Sequence, residues 1–344
     1  MKTPDLDFDP ARLQAYLQGL PGDGYGALVV RRTEGGMSNP TYFLQRGDWQ
    51  AVLRKQPAGE LAPSAHAIDR EFKVLQALHG GAVPVPRPLH FCTDRSIVGT
   101  PFYLMEKLEG RVFHAFATPG IQPAERAALF DAMVATMAAI HRVDVAAVGL
   151  ADHGRPGNYF ERQLRRWGAQ WRDRYRRGDD DNPALDRLLV WLEARVPPSL
   201  LQTLCHGDFR IGNVMFHATE PRVIGVLDWE LSTLGHPLVD VAFNSQAWRM
   251  APDENGGLLG LPLAELGIPG EDAYLERYYT LAGSTERMTP FHQAFAMFRG
   301  AVGSAGVAVR GEGGNGVLPD AARIGRHLAR AYATRGLAIA EAAA

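Results

Sequence analysis

The pattern of hydrophobic and polar positions divides the chain near Gly110. Before that point the chain is strand-rich, with three β-like runs at Leu28 to Thr33, Thr41 to Gln45 and Trp49 to Lys55. Gly47-Asp48 is a hairpin turn between the last two, and two further strands fit Leu89 to Cys92 and Phe102 to Lys107. Asp9-Pro10 predicts an N-cap followed by proline at the first helical position, opening a short helix to about Leu17. Pro63-Ser64 caps a longer helix to about Leu78. Between them and the later strands, Pro84-Val85-Pro86-Arg87-Pro88 excludes helix and predicts an extended linker.

After Gly110 the periodicity is helical. Pro123 to His141 places Leu129, Met133, Met137 and Ile140 on one face, and Tyr159 to Arg176 and Pro183 to Arg195 also predict helices. A hairpin interrupts them, with strands Val214 to Phe216 and Val223 to Leu227 around a turn at Ala218 to Pro221. From about Pro237 the chain returns to helix.

Composition narrows the class without naming a chemistry. At 344 residues, with 46% hydrophobic and 22% charged positions, the chain predicts a globular protein of about two domains. A net charge of -2 points to neither nucleic acid nor an anionic membrane. No apolar run is long enough to span a bilayer, and the acidic start MKTPDLDFDP lacks the features of a signal peptide. The two cysteines, Cys92 and Cys205, lack metal-site spacing; a reducing, cytoplasmic setting is the simplest expectation, and a single bridge between them stays open.

The densest chemistry lies in His206-Gly207-Asp208-Phe209-Arg210-Ile211-Gly212-Asn213, followed by the hairpin and then Asp228-Trp229-Glu230. Phosphoryl transfer needs one carboxylate to accept or orient a hydroxyl proton and oxygen ligands to hold magnesium beside a nucleotide. Asp208 and Asn213 have the kinase Asp-to-Asn spacing, and Asp228, ending an apolar strand, is expected to emerge beside Asn213 at the hairpin's open end. Asp208 is therefore the candidate catalytic carboxylate, and Asn213 and Asp228 the candidate metal ligands. No His or Cys cluster accompanies them, which excludes a zinc site.

The helix from Ser64 supplies a second signal. Glu71 falls on one face with Ile68, Phe72, Leu75 and Leu78, where a carboxylate needs a partner unless it lies at the edge of the stripe in solvent. Ala51-Val52-Leu53-Arg54 superimposes on the kinase V-A-I-K pattern with Arg54 in the lysine place; a shift of one residue would make Lys55 the cation instead. Glu34-Gly35-Gly36-Met37-Ser38-Asn39 could bring backbone N–H groups to a phosphate or be an ordinary turn, with Gly36, Ser38 and Asn39 as candidates. His206 is expected to brace backbone, His141 to pack in a core, and Asp240 to order the 206–213 loop.

HGDFRIGN with the later LDWE resembles the signature of the aminoglycoside phosphotransferase and choline kinase superfamily. GGMSNPTYFL, AVLRKQP, PSAHAIDREFKVLQAL, VPVPRPL, GTPFYLMEKLEGRVF and VLDWELSTLGHPLVDVAFN resemble one branch of it, the kinase-like domain fused to, or encoded beside, acyl-CoA dehydrogenases. The resemblance covers nearly the whole chain. It implies an α+β, bilobal protein-kinase-like fold, with an antiparallel-sheet N-lobe at 1–107 and a mostly helical C-lobe at 108–344. It also implies ATP and magnesium as cofactors. A hinge from Met105 through Glu106 to Leu108 would meet adenine, and Val52 and Met215 would sandwich the base.

The acceptor is expected to be a small molecule, because no Ala-Pro-Glu follows Asp228 and the segment to Asp240 is short. Arg162, Arg165, Arg166, Arg172, Arg174, Arg176 and Arg177 crowd one helix, where Gln163, Trp167 and Trp171 share another face. They are either a solvated face or a handle for an anionic acceptor. The branch resemblance implies the hydroxyl of a hydroxyacyl-CoA thioester, with a functional link to an acyl-CoA dehydrogenase. The alternatives are an aminoglycoside, choline or sugar kinase, and a nucleotide-binding regulatory pseudokinase.

Overall fold

The computed structural model describes residues 6–20, 24–33, 39–58, 68–178, 181–198, 201–313 and 320–343. The chain divides into two compact units, Met1–Gly110 with Ile224–Glu230, and Arg111–Val223 with Leu231–Ala344.

The first unit opens with α1 (Pro10–Leu17), whose first turn is capped by Asp9 Oδ1 accepting from the Ala11 N–H at 2.9 Å. The strands β1 (Val29–Arg32), β2 (Thr41–Arg46) and β3 (Trp49–Lys55) follow, then α2 (Ile68–Leu78), β4 (Pro88–Cys92), a short helix α3 (Arg95–Val98) and β5 (Phe102–Glu106). The strands form one antiparallel sheet in the order β1-β2-β3-β5-β4, with Arg54 opposite Thr41 on one side and Tyr103 on the other. The expected cap of α2 at Pro63-Ser64 lies outside the described residues.

Alternation along β3 decides what each of its side chains meets. Ala51 and Leu53 join a core with Leu13, Leu17, Tyr42 and Phe102. Val52 and Arg54 occupy the alternate positions. On α2, Glu71, Phe72 and Leu75 are all buried, and Phe72 packs on Phe91 and Tyr103 at ring separations of 5.5 and 5.6 Å. The solvated alternative for Glu71 is thereby excluded.

The second unit follows β6 (Gly110–Val112) with α4 (Pro123–His141), α5 (Tyr159–Gln170), α6 (Pro183–Glu193), β7 (Thr203–Cys205) and β8 (Val214–His217). Most of β9 (Val223–Val226) counts with the first unit. Then come β10 (Thr233–Gly235), α7 (Leu238–Ser245), α8 (Leu263–Leu266), α9 (Glu271–Ala282), α10 (Pro290–Glu312) and α11 (Ala321–Ala342). Its core gathers Phe160, Trp171, Leu188, Phe295, Met297 and Ala333. The long helices α10 and α11 approach closely enough that a Cβ on Gly325 would lie 2.6 Å from the Ala308 nitrogen.

Two sequence expectations need correction. The 214–227 hairpin is not the only β-structure of the helical part: β7 and β10 form an antiparallel ribbon with Leu204 opposite Leu234. Three-residue strands are too short to display a period of two. The helix expected over Tyr159 to Arg176 is α-helical only to Gln170 and then widens into one π-helical turn, Trp171–Tyr175. Trp171, at the start of that turn, is 1% exposed and donates its Nε1–H to Asp186 Oδ1 at 2.8 Å.

No helix among the described residues is long and apolar enough to cross a membrane. Cys92 and Cys205 are both buried and free.

Candidate active site

In the first unit, sheet geometry separates the two neighbouring cations. Lys55 is 1% exposed and shares the face of Leu53; its Nζ donates to Asp7 Oδ2 at 2.9 Å and to the Val98 carbonyl at 2.6 Å. Arg54 faces the other way. Its Nε donates to Glu71 Oε2 at 3.0 Å, its Nη2 donates to Asp228 Oδ1 at 2.6 Å, and Glu230 Oε2 lies 3.8 Å from the same nitrogen. Arg54, and not Lys55, is thus the cation that Glu71 meets.

Glu71 Oε2 also accepts from Tyr103 Oη and from Asn39 Nδ2, both at 3.4 Å. Its Oε1 is buried without a hydrogen-bond partner among the described residues. Burial pushes the Glu71 carboxyl above its ordinary range, and the Arg54 charge only partly offsets that. The carboxylates in turn hold Arg54 firmly protonated against the effect of its own burial. Asp228 adopts a left-handed backbone with φ of 64°, a conformation costly for a residue with a Cβ and characteristic of functional sites.

In the second unit, β7 delivers the chain to His206 and Gly207. Gly207 has φ of 83°, and a Cβ there would lie 2.4 Å from the Leu231 carbonyl oxygen, so only glycine fits. Asp240, fully buried on α7, accepts from the His206 N–H at 2.6 Å and the Gly207 N–H at 2.8 Å. His141 Nε2 lies 3.3 Å from the same carboxylate, and its Nδ1 is 2.6 Å from Tyr278 Oη. Burial alone would raise the Asp240 carboxyl; His141, His206 and the Gly207 N–H bring it below its ordinary range. On the opposite side of the peptide, Arg299 Nη2 donates to the Gly207 carbonyl at 2.7 Å, with its guanidinium 5.3 Å from the Phe243 ring.

This clamp presents Asp208. Its N–H donates to His206 Nδ1 at 3.2 Å, so His206 braces backbone. Asn213 Nδ2 donates to both the Asp208 carbonyl and Asp208 Oδ2 at 2.8 Å, so its amide oxygen is the atom with which it could act as a ligand. Arg210 Nε is 3.5 Å from the same carboxylate oxygen. His141, Cys205 and Asp240 sit close enough to suggest a metal cluster, but the hydrogen bonds above account for His141 and Asp240.

The other sequence candidates are distributed as follows. Gly36 and Ser38 lie outside the described residues, while Asn39 is buried against Glu71. Val52 on β3 is opposite Met105 on β5, Glu106 is opposite Ala51, and Met215 is half-buried on β8. Leu108 packs so closely on Gly225 that a Cβ there would lie 2.4 Å from its Cδ1. Among the described residues, three of the seven arginines of this region are in ion pairs: Arg172 with Glu193, Arg176 with Asp186 and Arg177 with Glu312. The sequence reading did not single out Tyr103, Glu230 or Arg299. The apolar sequence around Arg299, in Phe298 and Ala301, is the signal that it is buried.

Taken separately, the Asp228 carboxylate in the first unit and the Asn213 amide oxygen in the second are each hard oxygen donors of the kind magnesium takes. The Arg54 guanidinium lies beside carboxylate oxygens of Glu71, Asp228 and Glu230, at 3.0, 2.6 and 3.8 Å.

The family model described as "Phosphotransferase enzyme family" matches residues 29–287. A curated relative, acyl-CoA dehydrogenase family member 11 of Rattus norvegicus, is 45% identical over 275 residues; the match covers 76% of this chain and 35% of that protein. A crystal structure from Ralstonia eutropha JMP134, provisionally described as an aminoglycoside phosphotransferase, is 40% identical with a TM-score of 0.85 and covers 97% of this chain and 99% of its own. The aminoglycoside phosphotransferase APH(4)-Ia, in a complex with ADP and hygromycin B, is 17% identical with a TM-score of 0.61 over 95% of this chain and 98% of its own, a likeness of fold. The architecture is accordingly the α+β, kinase-like fold of those enzymes.

Proposed function

Because this chain belongs to the phosphotransferase enzyme family, we propose that it transfers the γ-phosphate of ATP to the hydroxyl of a small molecule. The observation that carries the reading is the held carboxylate of Asp208, bonded by Asn213 in a loop fixed by Asp240 and Arg299. Asp208 accepts the proton of the acceptor hydroxyl as the hydroxyl oxygen bonds to the γ-phosphorus and the bond to the β–γ bridging oxygen breaks, releasing ADP. Holding the nucleophile in line is most of what this chemistry asks of a protein.

Asn213 and Asp228 are the ligands for magnesium, which when bound neutralises the phosphate oxygens. Arg54, oriented by Glu71, contacts phosphate, with a planar guanidinium able to bridge two oxygens. Asn39 is assigned to phosphate contact, and Gly36 and Ser38, outside the described residues, are assigned with it from the sequence pattern alone. Val52, Met105, Glu106, Leu108 and Met215 surround adenine.

For the acceptor we favour a hydroxyacyl-CoA. The support is the similarity to a protein named as an acyl-CoA dehydrogenase family member. A functional link to such a dehydrogenase follows from the same similarity. The test is magnesium-dependent ATP consumption screened against hydroxyacyl-CoAs, sugars, choline and aminoglycosides. Acceptor-stimulated turnover with a hydroxyacyl-CoA is the expected result. Turnover stimulated by choline or an aminoglycoside alone would reassign the acceptor, and no ATP consumption with any of them would reject the kinase reading.

A further inference from the structure

Three successive peptide carbonyls around Asp208 are each taken by a side chain. Arg299 Nη2 donates to the Gly207 carbonyl at 2.7 Å, and Asn213 Nδ2 donates to that of Asp208 at 2.8 Å. The third, on the fully buried Phe209, accepts from Asn244 Nδ2 at 3.2 Å.

Asn244 lies one turn beyond Asp240 on α7, so the two side chains leave the helix on the same face. Asp240 takes the N–H groups of His206 and Gly207, just before Asp208. Asn244 takes the carbonyl just after it. One face of one helix therefore grips the loop on both sides of Asp208. So short a stretch of chain between two fixed points has few free torsions, and those torsions set where the Asp208 side chain points.

The orientation of the Asn244 amide is dictated by its partners. A carbonyl only accepts, so Nδ2 must face Phe209 and Oδ1 must face away from it. Oδ1 accepts from Tyr274 Oη on α9 at 2.8 Å, and Nδ2 also lies 3.9 Å from Met133 Sδ, a weak acceptor. Asn244 is fully buried and Tyr274 is 2% exposed, with its ring 4.8 Å from that of Trp248 and 6.1 Å from that of Phe130. Burial pushes the Tyr274 hydroxyl above its ordinary value, so it keeps its proton and stays a donor. Away from solvent, each of these bonds is costly to lose.

We propose that Asn244 is a positioning residue for phosphoryl transfer: held by Tyr274, it acts through the Phe209 carbonyl to aim the Asp208 carboxylate. The inference rests on the phosphotransferase reading and deepens it, because it names what directs the carboxylate that the reading assigns to the acceptor proton. Asn244 and Tyr274 are buried and touch neither nucleotide nor acceptor, so their loss belongs in kcat and not in KM.

The experiment measures kcat and KM for phosphoryl transfer from ATP, with a hydroxyacyl-CoA, glucose, choline and an aminoglycoside offered as acceptors. The proteins are wild type, Asn244→Leu and Tyr274→Phe, each variant alone and combined with Asp208→Asn. Leucine keeps the bulk of asparagine and removes both bonds. Phenylalanine removes one hydroxyl and keeps the ring packing, so Tyr274→Phe supplies the test even if Asn244→Leu does not fold. Asn244→Leu is expected to lower kcat roughly 10²-fold, the size of effect that a small misplacement produces. Tyr274→Phe is expected to lower it about three- to tenfold, the loss of one buried hydrogen bond. KM for ATP and for the acceptor stays near wild type in both. In the Asp208→Asn background no carboxylate is left to aim, so either second substitution costs less than about twofold more. A residue of merely structural importance would instead lower turnover by the same factor in both backgrounds. Wild-type kcat in Tyr274→Phe, a loss carried by KM, or an equal loss in the Asp208→Asn background would each overturn the inference and leave the phosphotransferase reading standing. A wild type that transfers phosphate from ATP to none of the four acceptors would reject that reading, and the inference with it.

Discussion

Glu71 in the first unit and Asp240 in the second are both buried carboxylates, placed in opposite surroundings. Asp240 is fully used: Oδ1 takes the Gly207 N–H, and Oδ2 takes the His206 N–H and faces His141. Nothing more is needed there, and the carboxyl is held below its ordinary range. Glu71 has one oxygen bonded three ways and the other bonded to nothing among the described residues. Its cation, Arg54, is shared with Asp228 and Glu230. The first arrangement is a finished scaffold that fixes backbone. The second is electrostatically incomplete, which is what a site awaiting charged ligands requires.

The sharpest break between scaffold and chemistry should come at Asp208. Asp208→Asn keeps the shape and the Asn213 contact region while removing charge and basicity. It is expected to lower kcat by about 10²–10⁴-fold in single-turnover phosphoryl transfer, with ATP affinity little changed. Near wild-type turnover would mean that another group takes the proton.

Next in size is the Arg54 and Lys55 pair. Arg54→Ala cuts one partner from a buried charge cluster and is expected to weaken ATP use by roughly 10²-fold in steady-state kinetics. Lys55→Ala removes the bonds to Asp7 and Val98. It should cost about 1–3 kcal/mol of stability in urea titration and leave KM for ATP alone. The reverse ranking would assign the phosphate contact to Lys55.

A smaller effect is expected at Asp228. Asp228→Ala removes a proposed magnesium ligand and keeps a Cβ at the left-handed backbone position. Calorimetry should find ATP binding weakened by about tenfold or more, with its magnesium dependence reduced. Equal affinity and equal magnesium dependence in both proteins would refute the metal assignment.

These contrasts also mark what the sequence made legible. The 206–213 loop, its Asp-to-Asn spacing and Asp228, just beyond the end of β9 at Val226, are local signals, so these candidates could be picked out from order alone. Asp240, thirty-odd residues on, could be matched to the loop only as an expectation. The sequence favoured Arg54 over Lys55 without deciding between the two frames; the structure gives Arg54 to Glu71 and turns Lys55 to the face of β3 that shares a core with α1. Arg299 was missed because its partner, the Gly207 carbonyl, is ninety-two residues away and carries no side-chain signal. The β7 and β10 ribbon was missed because two three-residue strands, separated in sequence, have no period to detect. Gly36 and Ser38 remain proposals from pattern.

The two carboxylates also make opposite predictions for stability against pH. The Asp240 carboxyl lies below its ordinary 3.8, so the folded state binds fewer protons there than the unfolded chain near that pH. Its stabilisation is fully present above 3.8 and is lost as pH falls through the lower folded value. Asp240→Asn should therefore be less stable than wild type from pH 5 to 7, with the deficit shrinking as pH drops below 3.8. The Glu71 carboxyl lies above its ordinary 4.5, so the folded state holds its proton more tightly, and ionising it opposes folding. That cost appears as pH rises past 4.5 toward the folded value. Glu71→Gln should therefore gain on wild type over that interval, while ATP use falls because Arg54 loses its orienting partner. Urea titrations of the three proteins at matched pH provide the measurement. Parallel stability curves for the two variants would show that the carboxylates have equivalent surroundings, and the distinction between finished scaffold and incomplete site would fail with them.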